Sequence, residues 1–464
     1  MKLQPKDTIA ALATPVGEGG LAIIRISGPA AVTIADKVFR GKQPLRDAPG
    51  FTVHYGTIYT TRSEMVDQVL ATVFRAPHSY TGEDAVEFSC HGGMLVSHRV
   101  LESVLEAGAR QSEPGEYTRR AFLNGRMDLS QAEAVADLIA ARSHRAHLSS
   151  LEQLEGKLAG RIAELKAKLM DLCSLLEVDL DFSEEGIELI SKQSIAEKIE
   201  DSVATISRMV ASFEVGRVYR EGVTVALVGR PNAGKSSIFN ALLQESRAIV
   251  TPVPGTTRDL LEENLTIGGI LFRISDTAGL REPTDVVETE GLKRSKAALQ
   301  RGDILVLVVD ATEKLPVAEC LADLGEVLPG RRVVVAYNKI DLLGECLTGP
   351  TDFMAHGIQG MAVRVSAKNG QGIDTLRRCL VGLAVGPNRG QEGSLYITNR
   401  RHWESLKKAK VSLELAIGSL SSGRTNEFVA FDVREATEFL AEITGEVTSE
   451  DVINHIFARF CVGK

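Results

Sequence analysis

The central part of the chain alternates short apolar runs with helical spacing. The run "VTVALV" at 223–228 is rich in β-branched residues and predicts a buried strand. A glycine-containing loop follows, and apolar residues then recur at helical spacing over 238–242. Further apolar runs lie at 304–309 and at the start of 333–341. This order of strands and helices predicts a doubly wound α/β sheet spanning about 217–383.

Helical spacing dominates the segment before this sheet. Apolar residues recur at steps of three and four over 148–176, which predicts one long amphipathic helix. The acidic stretch "EVDLDFSEEG" at 177–186 predicts a break in helical structure. A second helix is predicted over 195–213.

Helical spacing also returns after the sheet, at 403–417 and 452–460. An isolated helical pair is unstable without packing partners. We therefore expect one helical domain built from two chain segments, 121–216 and 384–464, with the α/β domain inserted between them.

Residues 1–120 show a different pattern. Strand-like stretches at 21–27, 51–60 and 67–76 are separated by turn glycines and prolines, and a helix is predicted over 94–107. The fold class expected for the whole chain is therefore multidomain α/β, with an N-terminal α+β domain, a split helical domain and an inserted α/β domain.

Composition is that of an ordinary globular protein, with 44% hydrophobic and 25% charged residues in 464. The net charge of −8 argues against wholesale non-specific nucleic-acid binding, although not against a local basic patch. No two of the six cysteines have CxxC spacing, which disfavours a zinc ribbon or a disulfide framework. The beginning of the sequence has no secretory pattern, and the longest apolar run is far too short for a membrane span. We expect a cytoplasmic protein without membrane contact.

The strongest chemical signal is G-x-x-x-x-G-K-S, from Gly229 to Ser236, between the predicted strand and helix. Gly229 and Gly234 allow the backbone to curl so that its N–H groups converge on phosphate oxygens. Lys235 would neutralise the β- and γ-phosphates, and the Ser236 hydroxyl would bind Mg²⁺. This context predicts a phosphate-binding loop.

The order of the downstream motifs predicts a Ras-like GTPase. Asp276 and Gly279 of "DTAG" would reach Mg²⁺ and the γ-phosphate, and Thr257 of "PGTTRD" would supply a second Mg²⁺ hydroxyl. Asn338 and Asp341 of "NKID" suit the donor edge of guanine. A later stretch, "VSAKNGQGI", resembles the loop that lies behind the base.

One position departs from the Ras pattern. Leu280 follows "DTAG" where Ras-type enzymes place a glutamine that orients water. Hydrolysis therefore needs another group to orient water and another charge near the phosphates. From spacing alone the candidates are Asp285, Glu288 and Glu290 for the water, and a monovalent cation beside Asn232 for the charge.

The chain as a whole resembles one family, the tRNA modification GTPase MnmE (also TrmE). GTPase motifs alone are shared by many proteins, but other segments are specific to this family. The segments that carry the resemblance are "ATPVGEGGLAIIRISG", "YTGEDAVEFSCHGG", "EPGEYTRRAFLNGRMDLSQAEAVADLI", "GRPNAGKSSIFNALL", "PGTTRD", "DTAGLRE" and "EITGEVTSEDVINHIFARFCVGK".

The resemblance implies a function that composition does not indicate. Members of this family act as homodimers with an FAD-binding partner, MnmG (GidA), in a heterotetramer or larger complex. Together they install an aminomethyl or carboxymethylaminomethyl group at C5 of the wobble uridine (position 34) of certain tRNAs. The one-carbon unit comes from 5-formyl- or 5,10-methylene-tetrahydrofolate, FAD enters only through the partner, and GTP hydrolysis requires Mg²⁺ and K⁺.

The resemblance also assigns roles by position. The domain plan becomes a folate-binding and dimerisation domain at 1–120, a helical domain at 121–216 and 384–464, and a GTPase domain at 217–383. Glu288 would orient the attacking water, with Lys235 and Cys461 as further catalytic residues. The potassium ligands would be Asn232, Thr251, Val253 and Thr256; the Mg²⁺ ligands Ser236 and Thr257; and the folate contacts Arg25, Glu87, Arg126 and Lys464. The GTP-binding residues would be Asn232, Ala233, Gly234, Lys235, Ser236, Ser237, Thr251, Thr256, Thr257, Asp276, Thr277, Ala278, Gly279, Asn338, Lys339, Asp341, Ser366, Ala367 and Lys368.

Two positions depart from the family pattern, Arg126 and the tail "CVGK", where the family more often has "CIGK". Arg126 stands where the family more often has lysine, and this keeps the charge but changes the donor geometry. Cys461 in "CVGK" has the spacing of a prenylated cysteine, but the Lys464 ending does not fit a prenylation signal. Two interpretations of Cys461 stay open: a buried cysteine without a chemical role, and a thiol near the folate or tRNA chemistry.

Two other function classes share the central motifs. A ribosome-assembly GTPase would carry a basic RNA-binding domain, whereas the densest basic stretch here is "RRHWESLKKAK" at 400–410. A dynamin-like scaffold would use GTP only to drive assembly, and would not need a small-molecule site near Arg25. The sequence favours the tRNA-modifying enzyme over both.

Overall fold

The structure is a computed structural model that describes residues 7–183, 191–244, 262–276, 302–313, 319, 331–343, 350–355, 358–386 and 395–464. The elements of the first part of the chain are β1 (Ile9–Leu12), β2 (Gly19–Ser27), α1 (Ala31–Val38), β3 (Phe39–Gly41), β4 (Thr52–Tyr59), β5 (Met65–Phe74), β6 (Ala85–Gly92), α2 (Met94–Glu106), β7 (Arg110–Gln111), α3 (Glu116–Leu123), α4 (Leu129–Ala140), α5 (His144–Leu154) and α6 (Lys157–Ser183).

The elements of the second part are α7 (Lys192–Ala211), α8 (Phe213–Glu221), β8 (Val223–Val228), α9 (Lys235–Gln244), β9 (Glu262–Ile267), β10 (Ile270–Asp276), β11 (Ile304–Asp310), β12 (Arg332–Asn338), β13 (Thr351–Ala355), β14 (Ile358–Arg364), α10 (Ile373–Val385), α11 (Arg400–Ser421), α12 (Asn426–Thr444) and α13 (Glu450–Phe457). Among the described residues, no helix is both long and apolar enough to cross a membrane.

The chain folds into two compact units. Unit 1 contains Met1–Ala136, Gln153–Ser191 and Ser419–Lys464, and unit 2 contains Asp137–Glu152 and Lys192–Gly418. These divisions differ from the domain boundaries expected at 120, 216 and 383, which stay predictions. The inserted α/β domain and the helices around it nevertheless give the multidomain α/β class that the sequence predicts.

Unit 1 is built on a seven-stranded sheet in the order β3-β4-β5-β6-β2-β1-β7. Neighbouring strands are antiparallel except for the parallel β1–β7 pair. Alternate residues such as Ile24, Val73 and Phe88 are fully buried on one face, in a core that includes residues of α1 and α2. The opposite face carries Arg25 of β2 directly across from Glu87 of β6. The strands expected at 21–27, 51–60 and 67–76 are confirmed within two residues.

Two helical groups complete unit 1. Helices α6 and α12 run side by side, with Asp179 Oδ2 accepting from Asn426 Nδ2 at 2.7 Å and Glu177 paired with Arg434. Helix α13 packs its Ile453 and Phe457 against Leu129 of α4. Early and late chain segments therefore share one packed unit.

Unit 2 contains a second seven-stranded sheet, in the order β13-β14-β12-β11-β8-β10-β9. Its central strands are parallel, and the antiparallel pairs are the hairpins β9–β10 and β13–β14. Every residue of β11 is buried, as expected for a strand covered on both faces. The predicted doubly wound sheet is confirmed. The core of this sheet also includes three residues of α8, the helix that precedes β8 in the chain: Val215, Val218 and Tyr219.

Two helix predictions were wrong. The single helix expected over 148–176 is interrupted between α5 and α6, because Gly156 adopts a left-handed φ of +82° that ends helical geometry. The acidic break expected at 177–186 is absent over 177–183, which belong to α6, and residues 184–186 lie outside the described residues. Leu176 is fully buried and Asp179 bonds to Asn426, so packing against α12 sustains the helix through this acidic sequence.

A buried ion cluster fastens α3 to the chain just before β1. Arg120 of α3 is 1% exposed, and its guanidinium reaches the carboxylates of Asp7, Glu83 and Glu116 at 2.9, 3.3 and 2.9 Å. Burial alone would raise the pKa of Glu116, but hydrogen bonds from Arg110, the Glu113 backbone and Arg120 outweigh it, and the pKa is lowered. The Glu116 carboxylate therefore stays ionised beside the buried cation.

We predict that Arg120→Met lowers the free energy of unfolding by about 3–5 kcal/mol, because it leaves partly buried carboxylates without their cation. Arg99→Met is the matched control, because Arg99 pairs with Glu64 on the surface at 3.1 Å. This substitution should lower the free energy of unfolding by less than about 1 kcal/mol. Urea denaturation followed by circular dichroism measures both.

The same cluster predicts a pH dependence. The folded-state pKa of Glu116 is lowered, so its stabilisation is present above its ordinary pKa of 4.5 and is lost as the pH falls through the folded value. The difference in the free energy of unfolding between wild type and Arg120→Met should therefore shrink as the pH falls below 4.5. An equal loss in the two arginine variants at neutral pH would contradict the assignment.

Candidate functional site

The phosphate-binding loop joins β8 to α9 as the sequence predicts. Gly229 and Gly234 have φ of +147° and +93°. A Cβ at Gly229 would lie 2.2 Å from the Val308 carbonyl oxygen, and one at Gly234 would lie 2.1 Å from Nδ2 of Asn338. Helix α9 begins at Lys235, so the loop presents the positive end of a helix dipole. Both glycines are required by close backbone approach as well as by φ.

Asn338 holds three loops together. Its Nδ2 donates to the carbonyl oxygen of Ala233 at 3.0 Å, and its Oδ1 accepts from the backbone N–H of Ala367 at 3.1 Å. The side chain ends β12 and is 3% exposed. One buried amide therefore fixes the phosphate-binding loop, the "NKID" loop and the "SAK" loop relative to one another.

Asp341 is oriented by a neighbouring hydroxyl. The Ser366 Oγ, which is fully buried, donates to Asp341 Oδ1 at 2.6 Å. Such a bond leaves the other carboxylate oxygen to accept from a ligand. A fixed carboxylate beside a phosphate-binding loop suits the N1–H and N2–H₂ donors of guanine.

Lys235 and Asn232 line the loop in distinct ways. The Lys235 Nζ donates to the carbonyl oxygens of Gly229 and Arg230 at 2.8 and 2.9 Å, which places its ammonium over the loop. Asn232 is exposed and has a left-handed φ of +63°. Few residues other than glycine adopt a left-handed backbone, and asparagine is among those that do so most readily.

A cavity of about 840 Å³ lies over these loops. Among the residues that the structure describes, most of those predicted from the sequence to bind nucleotide line this cavity. The lining residues are Pro231, Asn232, Gly234, Lys235, Ser236, Ser237, Asn240, Ala241, Gln244, Asn338, Lys339, Asp341, Leu342, Ala367 and Lys368. Two further expected residues, Ala233 and Ser366, are buried behind the lining and act through the hydrogen bonds above.

Asp276 is the remaining expected residue that the structure describes. Asp276 ends β10 directly across from Leu227 of β8, so its backbone lies beside the strand that leads into the loop. The other positions lie outside the described residues. They are Thr251, Val253, Thr256, Thr257, Thr277, Ala278, Gly279 and Glu288.

One residue of this region escaped the sequence analysis. Asp310, at the end of β11, accepts from Lys339 Nζ at 2.6 Å. Burial alone would raise the pKa of Asp310, but hydrogen bonds from Lys339 and Thr312 outweigh it and lower the pKa. The signal available in the sequence was an acidic residue at the end of an otherwise apolar strand.

A second polar cluster lies on the exposed face of the sheet of unit 1. The Arg25 Nε donates to Glu87 Oε1 at 2.7 Å. The Arg25 guanidinium carbon lies 5.5 Å from the ring centre of Tyr80 and 5.6 Å from that of Tyr117. The Tyr117 hydroxyl also donates to the Arg25 carbonyl oxygen at 2.7 Å. Both tyrosines were missed from sequence, because only the tertiary fold brings them to Arg25.

The segment after α13 reaches the same cluster. Arg25 Nη1 donates to the Gly463 carbonyl oxygen at 3.5 Å, and the Tyr117 N–H donates to the Lys464 carbonyl oxygen at 3.2 Å. Burial and the nearby Arg25 charge lower the pKa of Lys464. The structure thus brings Arg25, Glu87 and Lys464 together, as the resemblance implies.

The other two residues expected in this region are more exposed. Arg126 is exposed, and the aliphatic part of its side chain lies beside Gly82. A Cβ added at Gly82 would lie 3.3 Å from the Cγ of Arg126. Cys461 is also exposed, which contradicts the reading of a buried spare cysteine. Its carbonyl oxygen accepts from the Gly115 N–H at 3.4 Å, so this thiol belongs to the segment that docks beside α3.

Comparison with known proteins covers both units. The profile described as the GTP-binding protein TrmE N-terminus matches residues 8–126, and the MnmE helical domain profile matches residues 129–461. This chain belongs to the MnmE family. The helical-domain match begins before the sheet of unit 2 and ends after it, as expected for an inserted domain.

Curated relatives of the family match from end to end. A tRNA modification GTPase MnmE from Chlorobaculum tepidum is 42% identical over 99% of this chain and 98% of its own. Proteins with the same description from Geobacillus kaustophilus and Carboxydothermus hydrogenoformans are 42% and 41% identical, over 99% of this chain and 99% and 100% of their own. The family's domain composition therefore extends over this chain.

We predict that Gly234→Ala abolishes tight guanine-nucleotide binding, raising the Kd for a fluorescent GDP by more than about tenfold. The added Cβ would lie 2.1 Å from Asn338 Nδ2, and the backbone φ of +93° is itself unfavourable for alanine. Gly386→Ala is the control, because Gly386 also has a left-handed φ, +71°, but a Cβ there meets nothing within 4 Å. Equal nucleotide affinity in the two variants would show that the contact with Asn338 does not matter.

Proposed function

We propose that this chain is a GTP-hydrolysing enzyme of tRNA modification. The observation that carries the proposal is the convergence of the phosphate-binding loop with Asn338, Asp341 and Ser366 around one cavity. The proposal is also supported by sequence similarity, because the chain is about 42% identical, over 99% of its length, to proteins described as tRNA modification GTPases.

The geometry suits a guanosine triphosphate. Backbone N–H groups at the start of α9 and the Lys235 ammonium would neutralise the phosphates, and Asp341 would accept from the guanine edge. The Ser236 hydroxyl, together with Thr257, would bind Mg²⁺, which supplies charge neutralisation between the phosphates when bound. These residues bind and orient the nucleotide rather than form covalent bonds with it.

Hydrolysis would depend on groups that replace the Ras-type glutamine. Glu288 would orient the attacking water, and Asn232 with Thr251, Val253 and Thr256 would hold K⁺. Asn232 supports this role because it is exposed at the rim of the cavity with a left-handed backbone.

The Arg25 cluster supports binding of a reduced folate. Folates combine a flat heterocycle with amide and carboxylate groups. Arg25, Lys464 and Glu87 offer donors and an acceptor, while the rings of Tyr80 and Tyr117 flank the guanidinium. The cluster, with Arg126, would hold 5-formyl- or 5,10-methylene-tetrahydrofolate, which supplies the one-carbon unit. The exposed Cys461 thiol lies on the same segment as Lys464.

The exposed sheet face of unit 1 supports a homodimer. Val53, Tyr55 and Leu70 lie on the same face as Arg25 and are 58%, 64% and 46% exposed. Exposed apolar side chains clustered on one sheet face mark an interaction surface. We propose that a second copy covers this face, that the FAD-binding MnmG partner joins in a larger complex, and that the assembly modifies C5 of the wobble uridine in the cytoplasm.

Wobble-uridine nucleosides test the function directly. In bacteria lacking the gene, we expect the wild-type chain to restore the C5 substituent and Arg25→Met to restore less than about a tenth of it, since the substitution removes the ion pair with Glu87. Arg46→Met is the control, because Arg46 is a surface residue of the same unit and should restore modification fully. Mass spectrometry of digested tRNA gives the readout.

Two results would contradict the proposal. Nucleosides that are unchanged in cells lacking the gene would favour a ribosome-assembly GTPase or a scaffold. Full restoration by Arg25→Met would leave GTP-dependent modification standing but remove the folate assignment.

Turnover of GTP tests the hydrolytic groups. We expect Glu288→Ala to lower kcat by about a hundredfold with little change in GTP affinity, because it acts on water rather than on phosphate. Replacing K⁺ by Na⁺ should lower kcat by about tenfold or more through loss of charge stabilisation. Equal rates in KCl and NaCl would refute the cation, and a parallel loss of affinity in Glu288→Ala would refute the role in water orientation.

A further inference from the structure

Asp310 pairs with Lys339 of the "NKID" motif but lies outside the motifs discussed above. Asp310 ends β11 opposite Asn338 of β12 and is 9% exposed. Its Oδ2 accepts from Lys339 Nζ at 2.6 Å. Its Oδ1 accepts from both the N–H and the hydroxyl of Thr312, at 3.0 and 2.7 Å. Three hydrogen bonds therefore fix this carboxylate at the edge of the sheet.

Lys339 occupies an unfavourable backbone conformation. Its φ is +67°, in the left-handed region that a side chain with a Cβ adopts only at a cost. Its neighbours hold that turn: the Asn338 carbonyl oxygen accepts from the Ala311 N–H at 2.8 Å, and the Lys339 carbonyl oxygen accepts from the Leu342 N–H at 3.1 Å. The turn directs Lys339 into the lining of the nucleotide cavity.

A lysine with a free ammonium samples many rotamers, and ordering it on ligand binding costs conformational entropy. An ionised carboxylate that holds the ammonium removes much of this cost before the ligand arrives. With Nζ fixed on Asp310, the four-carbon stem of Lys339 is left to face the cavity beside Asp341. Aliphatic stems of this kind pack well against flat ring systems.

We propose that Asp310 is a positioning residue for guanine-nucleotide binding: it anchors the Lys339 ammonium so that the lysine stem forms a preformed wall of the base pocket. This inference rests on the proposed GTP-binding function and deepens it. Asp310 acts through Lys339 and makes no contact of its own with the nucleotide.

Dissociation of a fluorescent GDP from the full chain, in Mg²⁺ and K⁺, tests the proposal. Asp310→Asn keeps the shape and removes the charge, and we expect it to raise the dissociation rate by about tenfold, as for loss of one charge-assisted hydrogen bond. The corresponding loss in GTP turnover should appear in KM rather than in kcat, because the pair positions the base and not the attacking water.

A double-mutant cycle separates positioning from a general structural role. If Asp310 acts through Lys339, adding Asp310→Asn to Lys339→Met should change the dissociation rate by less than about twofold. Thr312→Val is the matched control, since it removes the hydroxyl partner of Asp310 but leaves the ion pair with Lys339, and it should dissociate GDP at the wild-type rate.

Each other outcome overturns the inference. An unchanged rate in Asp310→Asn, a tenfold effect that persists in the Lys339→Met background, or an equal effect of Thr312→Val would show that the ion pair does not position the base. If wild type itself fails to bind GDP, the proposed function falls together with this inference, whereas a wild type that binds GDP isolates the role of Asp310.

Discussion

The nucleotide-binding half of this protein depends on one buried amide. The side chain of Asn338 hydrogen-bonds to two backbone groups: its Nδ2 donates to the Ala233 carbonyl oxygen, and its Oδ1 accepts from the Ala367 N–H. Loops from three separate parts of the sequence thereby share a single rigid reference, and the buried position protects these hydrogen bonds from competition with water. The requirement for glycine at position 234 follows from the same side chain, because no other residue leaves room for it.

Unit 1 organises its polar cluster differently. There the sheet register sets Arg25 against Glu87, and aromatic rings from the loop before β6 and from α3 flank the guanidinium. A cation enclosed by two rings and one carboxylate keeps its orientation without being fully buried. Both sites thus rely on parallel or antiparallel strand pairing to bring distant residues together, and on local side-chain bonds to fix their direction.

The sequence predicted both sheets and the phosphate-binding loop because their signals are local: apolar runs, alternation and glycine spacing. The helices were predicted less well, since Gly156 interrupts a periodic pattern that runs through it, and packing against α12 carries α6 through an acidic stretch. Asp310, Tyr80 and Tyr117 could not be found in this way. Their roles come from contacts across 29 to 92 residues of chain, and neither spacing nor composition encodes such contacts.

The division of the chain between the units has a consequence for biosynthesis. The backbone crosses from one unit to the other after Ala136, Glu152, Ser191 and Gly418. Unit 1 therefore cannot close until its final segment, Ser419–Lys464, has left the ribosome, although its sheet is made first. The sheet that carries the phosphate-binding loop is complete well before that point. Folding of the unit that is begun first must wait for a segment made after the whole of unit 2, which favours a long-lived partly folded nascent state.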